Sequence, residues 1–214
     1  LSYGQDLRGK KIMITAGGTK EALDPMRFIS NNSSGKTGFA MATAAALRGA
    51  EVTLIHTDTN EEIPYLTAQN IHVQTVDEMY DACLEHFSQQ NWIIKCAAVS
   101  DYKPENVSPQ KLKKTDELTL RLVQTKDILA ELGRRKQQDQ ILVGFAAETD
   151  DLKTNALAKL AAKHLDIIVA NHLEVAGKQD TKIIVFSKND EISYSGDKFH
   201  IAHMILDRIL SYDR

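Results

Sequence analysis

Cysteine is scarce: Cys83 and Cys96 are the only two in 214 residues, and they form no CxxC pair. That argues against a disulfide scaffold, a zinc ribbon or thioredoxin-type chemistry, and places the chain in a reducing compartment, read here as cytoplasmic. Proline is equally thin, with Pro25, Pro64, Pro104 and Pro109 all read as loop residues. No apolar stretch approaches the roughly 20 residues of a membrane span. The longest candidates, such as 93–99, are broken by a charge at Lys95. Positive charge is not in surplus either. The formal net charge is −3, so the term that drives sequence-independent nucleic-acid binding is missing. There is no internal repeat and no low-complexity tract. The chain opens Leu1-Ser2-Tyr3, without an initiator Met or a basic-then-apolar leader. This predicts a domain cut from a longer polypeptide, with 1–10 as linker.

What is present is a full-sized core in a single domain over 1–214, since 43% of residues are hydrophobic. Short apolar runs at 11–16, 51–56, 92–99, 141–146 and 166–170 read as strands buried on both faces, with a weaker one at 71–76. Helical patterns lie at 37–48, 77–87 (with Asp77 as an acidic N-cap candidate), 127–136 and 152–163. The alternation predicts an α/β fold: a Rossmann-like open, mostly parallel sheet with helices on both faces. Segments 182–187 and 191–195 around Lys188-Asn189-Asp190 add a C-terminal antiparallel hairpin, followed by a helix from about 198 to 210. His200 and His203 share a face of that helix and read as surface residues.

Two connections, 17–36 and 100–117, are too long for ordinary strand-to-helix loops, and both leave the carboxyl end of a strand, where open α/β sheets bind ligands. The first opens with Gly17-Gly18-Thr19, a turn that can face phosphate or simply be sharp. It lacks GxGxxG, and Ser30 stands where Walker A needs Gly, so neither fingerprint is satisfied. Ser33, Ser34 and Gly35 precede a helix whose free N–H groups attract anions; the plainer alternative is that Ser34 caps it. The second connection carries Lys103, Lys111, Lys113 and Lys114. It reads either as a solvated loop or as a mobile lid over 100–117 that closes on a polyphosphate. Asp101 at its root suits a ribose hydroxyl or a magnesium-bound phosphate. Lys159 and Lys163 share a helix face, consistent with a common anion or with solvation.

With these loops in view, the sequence resembles the phosphopantothenoylcysteine synthetase (phosphopantothenate–cysteine ligase) family over nearly its whole length. The segments that carry the resemblance are Ile14-Thr15-Ala16-Gly17-Gly18-Thr19, Asp24-Pro25-Met26-Arg27-Phe28-Ile29-Ser30-Asn31-Asn32-Ser33-Ser34-Gly35-Lys36, Ala97-Ala98-Val99-Ser100-Asp101-Tyr102, Lys111-Leu112-Lys113-Lys114, Gly144-Phe145-Ala146-Ala147-Glu148-Thr149 and 166–171. The resemblance implies a ligase of coenzyme A synthesis. A nucleoside triphosphate activates the carboxylate of 4′-phosphopantothenate, and L-cysteine then displaces the nucleotide. Bacterial members use CTP with Mg2+ and eukaryotic ones ATP. Members are homodimers, often fused behind a flavin-dependent decarboxylase. By position, the resemblance makes Asn31 and Lys111 catalytic. Asn31, Ala98 and, from the partner subunit, Arg27 bind substrate. Asp101, Lys111, Lys126, Asp127, Ile128, Leu129, Phe145, Lys159 and Lys163 match nucleotide-site positions and Ser100 adjoins them, while the loop reading adds Gly17, Gly18, Ser33, Ser34 and Gly35 to the expected nucleotide site and Asp101 as its metal ligand. Ser100, Lys126 and His172 depart from the common bacterial residues Ala, Pro and Asp. The competing classes are a Rossmann-type oxidoreductase with Asp58 on ribose, and a non-catalytic binding protein.

Overall fold

The computed structural model describes residues 4–114, 116–148, 151–172, 180–188 and 190–213. Among them, β1 (Lys11–Ala16), β4 (Glu51–His56), β5 (Gln69–His72), β6 (Trp92–Lys95), β9 (Ile141–Glu148) and β10 (Ile167–His172) form a parallel sheet. The antiparallel pair β11 (Asp180–Ser187) and β12 (Asp190–Asp197) extends it to eight strands in the order β12-β11-β10-β9-β6-β1-β4-β5. This is the α/β arrangement that the alternation predicted. Asn189, expected in the hairpin turn, and Thr149 of the fifth motif lie outside the described residues.

Side chains alternate between two apolar layers, as strand geometry requires. Ile12, Ile14, Trp92 and Ile94 face α1 (Lys36–Leu47) and α5 (Lys198–Tyr212). Met13, Ile93 and Leu142 face α2 (Val76–His86), α3 (Ile128–Arg135) and α4 (Leu152–Ala162). The described part of 1–10 packs on the first layer, where Leu7 is buried and Asp6 pairs with the buried Arg48.

Several expectations need correction. The connection 17–36 contains a hairpin, β2 (Lys20–Asp24) and β3 (Arg27–Ser30), and the second long connection runs through β7 (Tyr102–Pro104) to β8 (Leu122–Gln124). These strands are short and half exposed, so they lack the apolar runs that mark the central sheet. Pro104 is therefore a strand residue, tolerated at an edge. The strand expected over 92–99 stops at Lys95, because Ala97 donates its N–H to the Thr15 hydroxyl and Ala98 turns toward Gly17. Helix α2 is capped by Thr75 in a capping box with Glu78, not by Asp77. Asp77 instead clamps Lys103 and Lys126, and these two lysines, Lys103 first, hold its carboxyl below the usual range. Ser34 does not cap α1: the N-cap is Gly35 in a left-handed conformation, with no side-chain cap. His203 is half-buried with its ring edge-on to Phe199, while His200 is exposed as expected.

Candidate functional site

The chain passes from β1 outward through β4 and β5, then returns to β6 on the other side of β1, which makes the β1/β6 boundary the topological switch point. Open sheets usually bind ligands there. Here it is stitched shut: Ala98 donates to the Gly17 carbonyl at 2.8 Å, Thr19 donates to Ala98 at 3.3 Å, and Ser100 N–H reaches the Thr19 hydroxyl at 3.0 Å. Gly17 is needed for this turn, since at φ +91 an added Cβ would run into the Thr57 hydroxyl.

The cleft lies one strand further, outside the carboxyl ends of β6 and β9, and measures about 350 Å³. It gathers Asn31, Ala98, Asp101, Lys126, Asp127, Ile128, Leu129, Phe145, Lys159 and Lys163 from separate parts of the chain. Each is held by identifiable contacts. Asn31, following β3, donates its carboxamide N–H to the Val99 carbonyl at 3.0 Å. Asp127 caps α3 by accepting from Ala130 N–H at 2.9 Å and pairs with Lys163. Lys159 donates to the Phe145 carbonyl at 3.1 Å. Lys126 bridges Asp77 at 3.1 Å and Asp81 at 3.8 Å, over the Tyr80 ring. Its ammonium is held above the usual lysine range, chiefly by Asp77. The approach of α3 to α4 that sets Lys163 depends on Gly133, where a Cβ would collide with the Lys163 carbonyl.

Other site candidates fall elsewhere. Gly17, Gly18, Ser33, Ser34 and Gly35 sit around the start of α1 and do not line the cleft. Ser100 is buried behind the cleft wall, engaged with Thr19 and, through its carbonyl, with the Thr125 hydroxyl. Asp58 pairs with His72 at 2.7 Å and Lys20 at 3.1 Å, also away from the cleft. Arg27 and Lys111 belong to a neighbouring assembly. Asp24, buried, accepts N–H groups from Met26, Arg27 and Leu112, and Arg27 closes the ring by donating to the Leu112 carbonyl. Burial opposes ionisation of Asp24, but the Leu112, Met26 and Arg27 amides outweigh it and hold the carboxyl below its ordinary range. Ser108 also donates to the Leu23 carbonyl, so the segment before and after Lys111 rests on the β2–β3 hairpin.

Six cleft residues escaped the sequence reading of the site: Lys95, Ala97, Val99, Gln124, Thr125 and Ala147. Lys95 was visible only as a charge interrupting an apolar run. The signal that marks it is register, because a lysine beyond Ile93 by two positions must point into the α2–α4 layer. No cluster of three or more metal-ligating side chains occurs among the described residues. None of the described helices is long and apolar enough to cross a membrane.

Fold and cleft define an open α/β domain that presents a cation-lined site at the carboxyl ends of its parallel strands. The chain belongs to the family described as DNA/pantothenate metabolism flavoprotein C-terminal domain, whose model matches residues 7–212. It is 43% identical over 211 residues to the coenzyme A biosynthesis bifunctional protein CoaBC of Vibrio parahaemolyticus, covering 95% of this chain and 53% of that protein. Against the Bacillus subtilis protein of the same name it is 46% identical over 188 residues, covering 86% and 46% respectively. The chain thus spans about half the length of these relatives. A crystal structure of a C-terminal domain of CoaBC superposes with a TM-score of 0.84 at 36% identity, covering 96% of each chain.

Proposed function

We propose that this domain is a phosphopantothenate–cysteine ligase acting in coenzyme A biosynthesis, with CTP as the activating nucleotide. The observation that carries the reading is the cleft: a chain of this family brings Asn31, Asp101, Phe145, Lys159 and Lys163 to one place. In the first half-reaction the carboxylate of 4′-phosphopantothenate attacks the α-phosphorus, forming the acyl-cytidylate and releasing pyrophosphate. In the second, the amine of L-cysteine adds to the acyl carbon, CMP departs and the amine proton goes to solvent.

Both reactants of the first step are anionic, so cations must offset charge that grows on the leaving pyrophosphate. Lys159 and Lys163 supply this at the α4 wall, and Lys111 supplies it from the lid. Asn31 offers a neutral N–H donor to the oxyanion of the second step, on a carboxamide already oriented by Val99. Mg2+ would arrive with the triphosphate, which suits a site that, among the described residues, offers isolated carboxylates and no closed cage. Asp101 is its best protein ligand, since Asp127 is committed to Lys163 and the α3 cap. Bound there, Mg2+ would neutralise phosphate charge.

The proposal extends to a homodimer in which Arg27 serves the neighbouring cleft, and to an upstream flavin-dependent decarboxylase domain, as the bifunctional names of the relatives support. The test is mass spectrometry of products formed from phosphopantothenate and cysteine with CTP or ATP. Amide plus CMP, much faster than with ATP, is the expected result. Equal efficiency with ATP overturns the CTP assignment, and absence of amide with either nucleotide overturns the ligase.

A further inference from the structure

Lys95 is the least expected residue of the cleft. It ends β6 at a position that faces the α2–α4 apolar layer, opposite Gly144 on β9, and only 9% of it is exposed. Its ammonium donates to the Ala97 carbonyl at 2.9 Å and has no carboxylate partner among the described residues. The other cleft lysines divide clearly. Lys126 and Lys163 are paired with Asp77, Asp81 and Asp127. Lys159 rests on the carbonyl of Phe145, the residue after the one Lys95 faces. Two ammonium groups therefore converge on the inner wall without a carboxylate counter-ion in the described protein.

We propose that Lys95 is the inner anion-binding cation of the cleft: with Lys159 it receives a phosphate oxygen of the nucleotide. The inference rests on the reading of the cleft as a nucleotide site. Burial pushes the Lys95 ammonium down to about 8 and Lys159 adds to this, while Asp101 opposes it. Cys83 on α2 and Cys96 beside Lys95 are themselves pushed up to about 12 by burial, so they stay neutral and provide no counter-charge. Asp101 at the rim is a carboxylate acting on it. An arriving phosphate favours the charged form, so that whatever fraction of Lys95 is neutral draws its proton from the buffer.

The test is calorimetric titration at pH 8.5 in buffers of different ionisation enthalpy. Excess Mg2+ is present; cysteine and phosphopantothenate are omitted, so nothing turns over. With a free value of about 8, CTP binding should take up more proton at pH 8.5 than at pH 7. Lys95→Met should bind CTP at least about tenfold more weakly with no uptake, and Lys95→Arg should retain binding without uptake, which guards against a folding defect. CMP and pyrophosphate, titrated separately, identify which phosphate Lys95 meets. Lys95→Met that binds CTP as tightly as the wild type overturns the proposal while leaving the nucleotide reading intact; failure of CTP and ATP to bind overturns both.

Discussion

Arg27 donates from Nη2 to the carbonyl of Leu112 at 2.5 Å, and so fastens the segment that carries Lys111 to the tip of the β2–β3 hairpin. The Asp24 carboxylate completes the fastening from the Leu112 amide at 3.0 Å. If these contacts hold the segment in place, Arg27→Ala should let trypsin cut after Lys111, Lys113 and Lys114 several-fold faster than in the wild type. Band analysis of a timed digest measures this. Unchanged cleavage means that Ser108 and the β7–β8 pairing suffice.

The proposed dimer gives Arg27 a second duty, in the neighbouring cleft. Arg27→Ala and Asn31→Ala chains should each be inactive. When they are mixed and re-equilibrated, one cleft in each hybrid keeps both wild-type residues, giving about a quarter of full activity at equal mixing. No recovery in verified hybrids places both residues in one cleft or restricts Arg27 to fastening the lid.

The half-reactions should separate by residue. Lys111→Ala is expected to slow pyrophosphate release without cysteine by about 10² to 10³, as loss of one positioned transition-state donor does. Asn31→Asp should still release pyrophosphate but pass the acyl group poorly to cysteine, because a carboxylate repels the developing oxyanion. Pyrophosphate release and amide formation, followed side by side, check both. A wild-type rate of pyrophosphate release in Lys111→Ala would reduce that lysine to a solvated charge.

Lys95 also costs the fold stability. Its folded value of about 8 lies below the ordinary 10.5, so protonation is less favourable in the folded protein. The penalty is absent well above 10.5, grows as pH falls, and is complete below about 8. It amounts to about 3 kcal/mol, from which Lys95→Met recovers about 2 after leaving the Ala97 carbonyl unpaired. Thermal melts should show Lys95→Met several degrees more stable than wild type at pH 7, with the gain shrinking toward pH 10. A lower melting temperature at pH 7 would contradict the cost.

The central strands were legible because burial on both faces writes an unbroken apolar run, as in β1, β4 and β9. The β2–β3 and β7–β8 pairs were not, since β3 and β8 alternate between half-exposed and exposed residues and merge with loop composition. The two long connections did lead to the cleft: Asn31 and Asp101 come from them, and α4 brings Lys159 and Lys163 to meet them. Ser100 adjoins the cleft in sequence but turns inward to Thr19, a choice made by hydrogen bonds across 81 residues that no local pattern records. Lys95 was hidden for the opposite reason. In a run of apolar residues a single charge looks like an interruption, and only strand register shows that it faces inward.

The hydrogen bonds between 17–19 and 98–100 also bear on redesign. A dinucleotide-binding turn cannot be grafted onto the end of β1 by replacing Gly17-Gly18-Thr19 alone, because the arm after β6 already occupies the gap a pyrophosphate would enter. Removing that arm to make room would also withdraw Val99, which orients Asn31, and Asp101. The two loops behave as one inherited part: specificity can be retuned along the β9 and α4 wall, while the β1 turn is fixed by the wall it helps to build.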